Sequence, residues 1–117
     1  MEPLFLTLEE VLEIHRDEIE RHGGTVGVRD QGLLESAVAA SQSGFGGHYL
    51  HGDPYEMAAA YLFHLVQNHP FIDGNKRVGA ATALVFLTMN GIETKITNQA
   101  LVDTVHTVAK GKMDKPA

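Results

Sequence analysis

Apolar positions recur along this chain at helical spacing, and the breaks between runs fall on residues that start or stop helices. Leu8, Val11, Leu12, His15 and Ile19 share one stripe of a first helix. Thr7 with Glu10 three places on has the form of a capping box, and Gly23-Gly24 supplies the stop. Asp30 is placed to cap a second helix carrying Leu33, Leu34, Ala37 and Val38, which ends near 41–44. Asp53-Pro54 puts a capping residue before proline at the first helical position. The third helix then buries Ala58, Tyr61, Leu62, Leu65 and Val66, and Pro70 closes it because the residue before proline is pushed out of helical geometry. A fourth helix runs from near Asn75 to Asn90-Gly91. It is apolar almost all round, which predicts a central position. Thr97 can cap a fifth helix through Leu101, Val102, Val105 and Val108, and a short strand fits 92–96. The pattern predicts an all-α bundle of five or more helices.

Composition narrows the class without changing it. A length of 117 residues suits a single domain, 1–117, with 110–117 as a frayed tail. A formal net charge of −6 argues against nonspecific nucleic-acid binding by the whole surface. The absence of cysteine excludes disulfides and thiolate metal sites. No basic and apolar leader is visible at the N terminus. The longest apolar run, 78–89, is too short and too interrupted by Thr82 and Thr88 to span a membrane. No membrane contact and a cytoplasmic location are expected.

The chemistry is concentrated in 69–77, His-Pro-Phe-Ile-Asp-Gly-Asn-Lys-Arg, just before the fourth helix. Gly74 lets the backbone turn sharply and approach a ligand. The N–H groups of Gly74, Asn75 and Lys76 are then free donors at a helix start, where the dipole also favours an anion. Arg77 can grip phosphate oxygens at two points, and Lys76 adds charge. Asp73 is a hard oxygen ligand beside a phosphate site, suited to Mg²⁺. His69 is placed to take a proton from a hydroxyl group. Phe71 would bury under the loop and fix its shape. Each residue also has a plainer use. His69 continues the 58-61-62-65-66 stripe and alone reads as packed; Asp73 alone reads as a helix cap; Lys76 and Arg77 alone read as solvated charges. His15, on an apolar face, reads as a satisfied core residue. The conjunction of all parts on one turn is what points to phosphoryl or nucleotidyl transfer.

In that conjunction the chain resembles the Fic/Doc superfamily, whose signature begins His-x-Phe-x-Asp/Glu and continues through Gly/Ala-Asn to an arginine. The segments 27–37 and 56–61 resemble the death-on-curing (Doc) branch as well, and the likeness covers roughly 5–105. The resemblance implies a compact Fic/Doc-type helical bundle, with His69 and Arg77 catalytic, Gly74, Asn75, Lys76 and Arg77 on the nucleotide phosphates, and Asp73 on Mg²⁺. The glycine-rich stretch 44–52 reads by itself as a flexible linker between helices; the resemblance implies instead a short flap hairpin that docks the target as an added strand, with Phe45, Gly46, Tyr49 and Leu50 as contacts.

Two positions choose between branches. AMP-transferring members have glycine where this chain has Lys76, and a second arginine where it has Ala80. The resemblance to Doc therefore implies an inverted nucleotide pose and a protein kinase that moves the ATP γ-phosphate to a Ser/Thr hydroxyl. By resemblance the target is elongation factor Tu, and the outcome is arrest of translation. No Ser/Thr-x-x-x-Glu-Gly/Asn inhibitory helix is present. Control in trans is implied, by a cognate antitoxin whose C-terminal helix fills a groove, with DNA reached only through that antitoxin. An AMP transferase and a catalytically inactive Fic-fold interaction domain are the alternatives.

Overall fold

The computed structural model describes residues 3–42, 44–45, 48–49 and 54–92. Within them Thr7 opens α1 (Leu8–His22) with a complete capping box. The Glu10 N–H donates to Thr7 Oγ1 and the Thr7 N–H donates to Glu10 Oε1. Such a cap contributes about 1 kcal/mol. Gly23 ends the helix at φ 83, a left-handed value that favours glycine. Val11, His15 and Ile19 are buried, and Leu8 and Leu12 pack on the core from its edge.

Asp30 caps α2 (Gln31–Ala40) by accepting from the Leu33 N–H. Buried Leu34, Ala37 and Val38 face the core. Ser41, buried just past the helix, donates through Oγ to the Met57 carbonyl and so ties the end of α2 to α3. Next comes an antiparallel hairpin of β1 (Gly44–Phe45) and β2 (His48–Tyr49), with Gly44 opposite Tyr49 and Phe45 opposite His48. This is the flap hairpin expected from resemblance, seen as backbone pairing. Gly46, Leu50 and Asp53 lie outside the described residues, as do the expected fifth helix, most of the 92–96 strand and the 110–117 tail.

Proline stands at the first position of α3 (Pro54–Asn68), and every position of its expected stripe is buried. The last of the described helices, α4 (Asn75–Met89), stops at Asn90, with Gly91 following at φ 79. The most extensive contact in the bundle joins α3 and α4; α2 packs on the far side of α3, and α1 packs on α4. Gly79 makes the α3–α4 approach close, since a Cβ there would meet Val66 Cγ2 at 3.1 Å and the Leu62 carbonyl at 3.4 Å. Sequence places α4 at the centre, but α3 shares that position. One side of α4 meets only α1 among the described helices, and Val85 on it stays 40% exposed.

The core is closed by the chain's start. Tyr61, fully buried, accepts the Leu6 N–H at 3.0 Å through its hydroxyl, and burial pushes its pKa up. Its ring and that of Phe5 both tilt against Phe86. Asn90 clips the same segment, accepting from the Leu4 N–H and donating to the Leu4 carbonyl. These contacts anchor α1 against α4, the pair of helices whose ends meet at the loop 69–74.

Candidate active site

Pro70 breaks α3 at Asn68, and the chain turns through 69–74 into α4. The turn does not stand alone. The link from α1 to α2 runs beside it, with a β-bridge between Val28 and Phe71. The Ile72 N–H donates to the Gly27 carbonyl, and the Arg29 and Asp30 N–H groups both donate to the Pro70 carbonyl. Gly27 lies so close that a Cβ would stand 2.7 Å from Ile72 Cδ1.

Phe71 is fully buried, as expected, and the reason is now visible. Its ring stacks on His15 at 3.7 Å between centroids and 6° between planes. The His15 Nε2–H donates to the Asp73 carbonyl at 2.7 Å, which fixes the proton on that nitrogen because a carbonyl only accepts. His15 is thus the satisfied core residue that its stripe predicts. It is also a support beneath the loop, which the stripe does not reveal.

Asn75 is expected at the phosphates through its backbone N–H, and its side chain has a separate use. It is buried, with Oδ1 accepting from the Phe71 N–H at 2.9 Å and Nδ2 donating to the Phe71 carbonyl at 3.0 Å. Both ends of the amide are used to hold Phe71, and the backbone N–H of Asn75 stays at the open start of α4.

Asp73 is half-exposed and accepts two backbone donors, the Thr25 N–H at 3.2 Å and the Gly74 N–H at 2.8 Å. The Thr25 N–H, then the Gly74 N–H, with Arg77 as a smaller electrostatic contribution, hold its carboxyl below the usual carboxylate range. The Gly74 N–H is therefore not a free donor, contrary to expectation: the short Asp side chain folds back onto it. Arg77 is also less free than expected. Its Nη1–H donates to the Gly23 carbonyl at 2.8 Å, and Nη2 lies 3.9 Å from Asp73 Oδ1. The guanidinium ties the end of α1 to the start of α4.

What remains open is the N terminus of α4. Gly74 sits there at φ 76, and no side chain caps the helix. The first bond of helical type is from the Val78 N–H to the Gly74 carbonyl at 2.9 Å. The N–H groups of Asn75, Lys76 and Arg77 precede it and have no acceptor among the described residues. Three convergent donors at the positive end of a helix suit a phosphate. The Lys76 side chain is exposed beside them. A magnesium ion fits the same corner only with help. The Asp73 carboxylate has about four acceptor directions, of which two are used. No cluster of three or more metal-binding side chains exists among the described residues. A lone carboxylate plus the phosphates themselves is the usual way Mg²⁺ is held.

His69 departs from the stripe that its spacing continues. It is exposed, and at φ 51 it is the one non-glycine residue with positive φ among those described. The break before Pro70 swings it off the buried face. Ala80, in turn, lies in a small apolar cluster with Leu62 and Val66, so this turn of α4 offers no second cation.

Sequence reasoning missed four contributors. Gly24, at φ 122, would put a Cβ 2.7 Å from Asp73 Oδ2 and 3.1 Å from the Arg77 guanidinium. Thr25 donates to Asp73, His15 supports its carbonyl, and Arg29 binds the His69 carbonyl. The doubled glycine at 23–24 is the one signal in the sequence, and its spacing after the first stripe points only to a helix stop.

Comparison with known proteins gives the family of the chain. The model of the Fic/DOC family matches residues 5–87. The protein named Toxin Doc from Mycolicibacterium smegmatis is 44% identical over 71 residues, covering 61% of this chain and 55% of that protein. The one named Protein kinase doc from Escherichia phage P1 is 34% identical over 85 residues, covering 73% of this chain and 67% of that protein. This chain thus spans just over half of the first relative and about two thirds of the second.

Proposed function

The chain belongs to the Fic/DOC family, and on that premise we propose that it is a Doc-like toxin that phosphorylates a protein hydroxyl. The observation that carries this reading is the uncapped start of α4 behind left-handed Gly74. The exposed His69 stands at the other end of the same short loop.

His69 takes the proton from the target hydroxyl as the oxygen attacks. The N–H groups of Asn75, Lys76 and Arg77 bind phosphate oxygens, and the Lys76 ammonium neutralises charge that spreads over the transferred group. Asp73, kept ionised by the Thr25 and Gly74 N–H groups, would hold Mg²⁺. ATP, when bound, would supply the γ-phosphoryl group, its bond to the β–γ bridging oxygen breaking as the target oxygen bonds to phosphorus and ADP leaving. Arg77 fixes the α1 end against the site through Gly23 and adds positive charge behind the phosphates. Little covalent work falls to the protein, so positioning and electrostatics dominate. Lys76 and the apolar surroundings of Ala80 favour transfer of phosphate over transfer of AMP.

The target we favour is a Ser/Thr hydroxyl of elongation factor Tu, docked along the β1–β2 hairpin, with arrest of translation as the result. Phe45, Gly46, Tyr49 and Leu50 are the contacts proposed there. A cognate antitoxin keeps the activity silent through a C-terminal helix, and DNA is reached only through it. A groove of about 400 Å³ between α1 and α4 is lined by Leu6, Ile14, Ala81 and Val85 together with acidic residues of α1, among them Glu13 and Asp17. That lining suits a basic amphipathic helix. The proposed location is the cytoplasm; no helix among the described residues is long and apolar enough to cross a membrane.

The test is mass spectrometry of elongation factor Tu after incubation with the protein, Mg²⁺ and ATP labelled at the α or γ position. One added phosphate carrying the γ label is expected. An α label on the target would make the protein an AMP transferase. No modification of any protein in a whole-cell extract would leave an inactive interaction domain.

A further inference from the structure

The end of α3 is held by one side chain from another part of the chain. The Arg29 Nε–H donates to the His69 carbonyl at 2.7 Å, and its Nη2–H donates to the Asn68 carbonyl at 3.0 Å. The backbone N–H groups of Arg29 and Asp30 donate to the Pro70 carbonyl at 2.7 and 3.0 Å. Three successive carbonyls, 68–70, therefore take donors from residues 29 and 30. The last carbonyls of a helix have no partner within it, and a cation there also meets the negative end of the helix dipole. That much makes Arg29 a helix cap.

The conformation of His69 gives the contact a second meaning. At φ 51 its backbone lies outside the regions that ordinary residues prefer. Its ring is exposed and has no hydrogen-bond partner among the described residues. Among the described residues, nothing on the ring side aims it. The direction of the ring follows from a backbone held at its own carbonyl and at both neighbouring carbonyls.

We propose that Arg29 is a positioning residue for His69: its planar fork holds the carbonyls of 68 and 69 so that the left-handed His69 presents its ring to the target hydroxyl. This rests on His69 as the general base. Arg29 touches neither nucleotide nor target and acts only through the His69 backbone. Lysine is not equivalent, because a single ammonium keeps the charge at the helix end but not the fork that spans two carbonyls in one plane.

The experiment compares Arg29→Lys and Arg29→Gln with the wild type, in full-length protein. Histidine-selective ¹³C labelling follows all seven histidines, with the His69 signal identified by its loss in His69→Gln. Both Arg29 variants are expected to move the His69 signal and leave that of His15 in place. In transfer from γ-labelled ATP to elongation factor Tu, kcat should fall about 10- to 100-fold, the range for a misplaced catalytic group. KM for ATP should stay within about twofold, because the phosphate donors on α4 are untouched. Arg29→Lys should melt close to the wild type and still show the loss in kcat. A purely structural cap would lose activity only in step with folding. An unmoved His69 signal, or wild-type kcat in folded Arg29→Lys, overturns the inference. Failure of the functional reading looks different: it appears as no transfer by the wild type, or as full transfer by His69→Ala.

Discussion

The His15 Nε2–H donates to the Asp73 carbonyl across 2.7 Å, joining the middle of α1 to the turn that precedes α4. The same ring is the floor on which Phe71 stacks. One buried histidine thus sets the height of the loop that carries Asp73 and Gly74. His15→Ala removes a buried ring and leaves a carbonyl without its donor. It should destabilise the protein by about 3 kcal/mol. His15→Gln keeps a donor on a longer arm and should lose less. Urea denaturation measures both, and an alanine variant as stable as the wild type would remove His15 from this role.

Asn75 makes a similar prediction with a sharper contrast. Its amide satisfies both backbone groups of buried Phe71. Asn75→Ala leaves those groups unpaired, at about 1–3 kcal/mol each. Its midpoint in urea should therefore fall clearly. A residue that only bound phosphate would instead leave the midpoint unchanged and weaken ATP binding alone. Calorimetric titration with ATP beside the urea curve separates the two.

These two residues also mark the limit of what the sequence disclosed. Thr7 with Glu10, Asp30 before α2 and Pro54 at the start of α3 act within a turn of themselves, so their roles follow from spacing. The buried stripes of α1, α2 and α3 follow from period alone. The loop chemistry was legible as a set of residue types in order. Its internal wiring was not. His15 lies 58 residues from Asp73, and Arg29 lies 40 residues from His69, so no local pattern pairs them. The bonds that Asn75 and Asp73 make to the backbone of the loop were hidden for another reason. A short polar side chain in a tight turn can bond its own backbone or a ligand, and only the fold decides which.

Asp73 gives a prediction in pH. The Thr25 and Gly74 N–H groups lower its folded pKa. A lowered carboxyl pKa adds stability that is fully present above the unfolded value, near pH ~4. That stability is lost as pH falls through the lower folded value. Asp73→Asn cannot titrate. The melting temperature of the wild type relative to this variant should be constant from about pH 7 to pH 5 and fall below about pH 4. A difference that stays flat to the acid limit would mean that the two N–H bonds do not favour the ionised form.

The last prediction concerns the backbone of His69. At φ 51 a residue with a side chain is strained by about 1–2 kcal/mol, and glycine is not. The ring is exposed and contributes little packing. His69→Ala keeps the strain and loses the base; His69→Gly loses both. Each should lower transfer by about 10²–10⁴-fold, the range for a positioned base. Their stabilities should differ, with glycine favoured by up to about 1 kcal/mol after its greater freedom in the unfolded chain is set against the relief. Melting curves and single-turnover transfer on the same preparations test the pair. If alanine is the more stable of the two, the left-handed geometry is not a source of strain. If instead glycine is more stable and equally inactive, the strain at His69 is tolerated because that backbone presents the base.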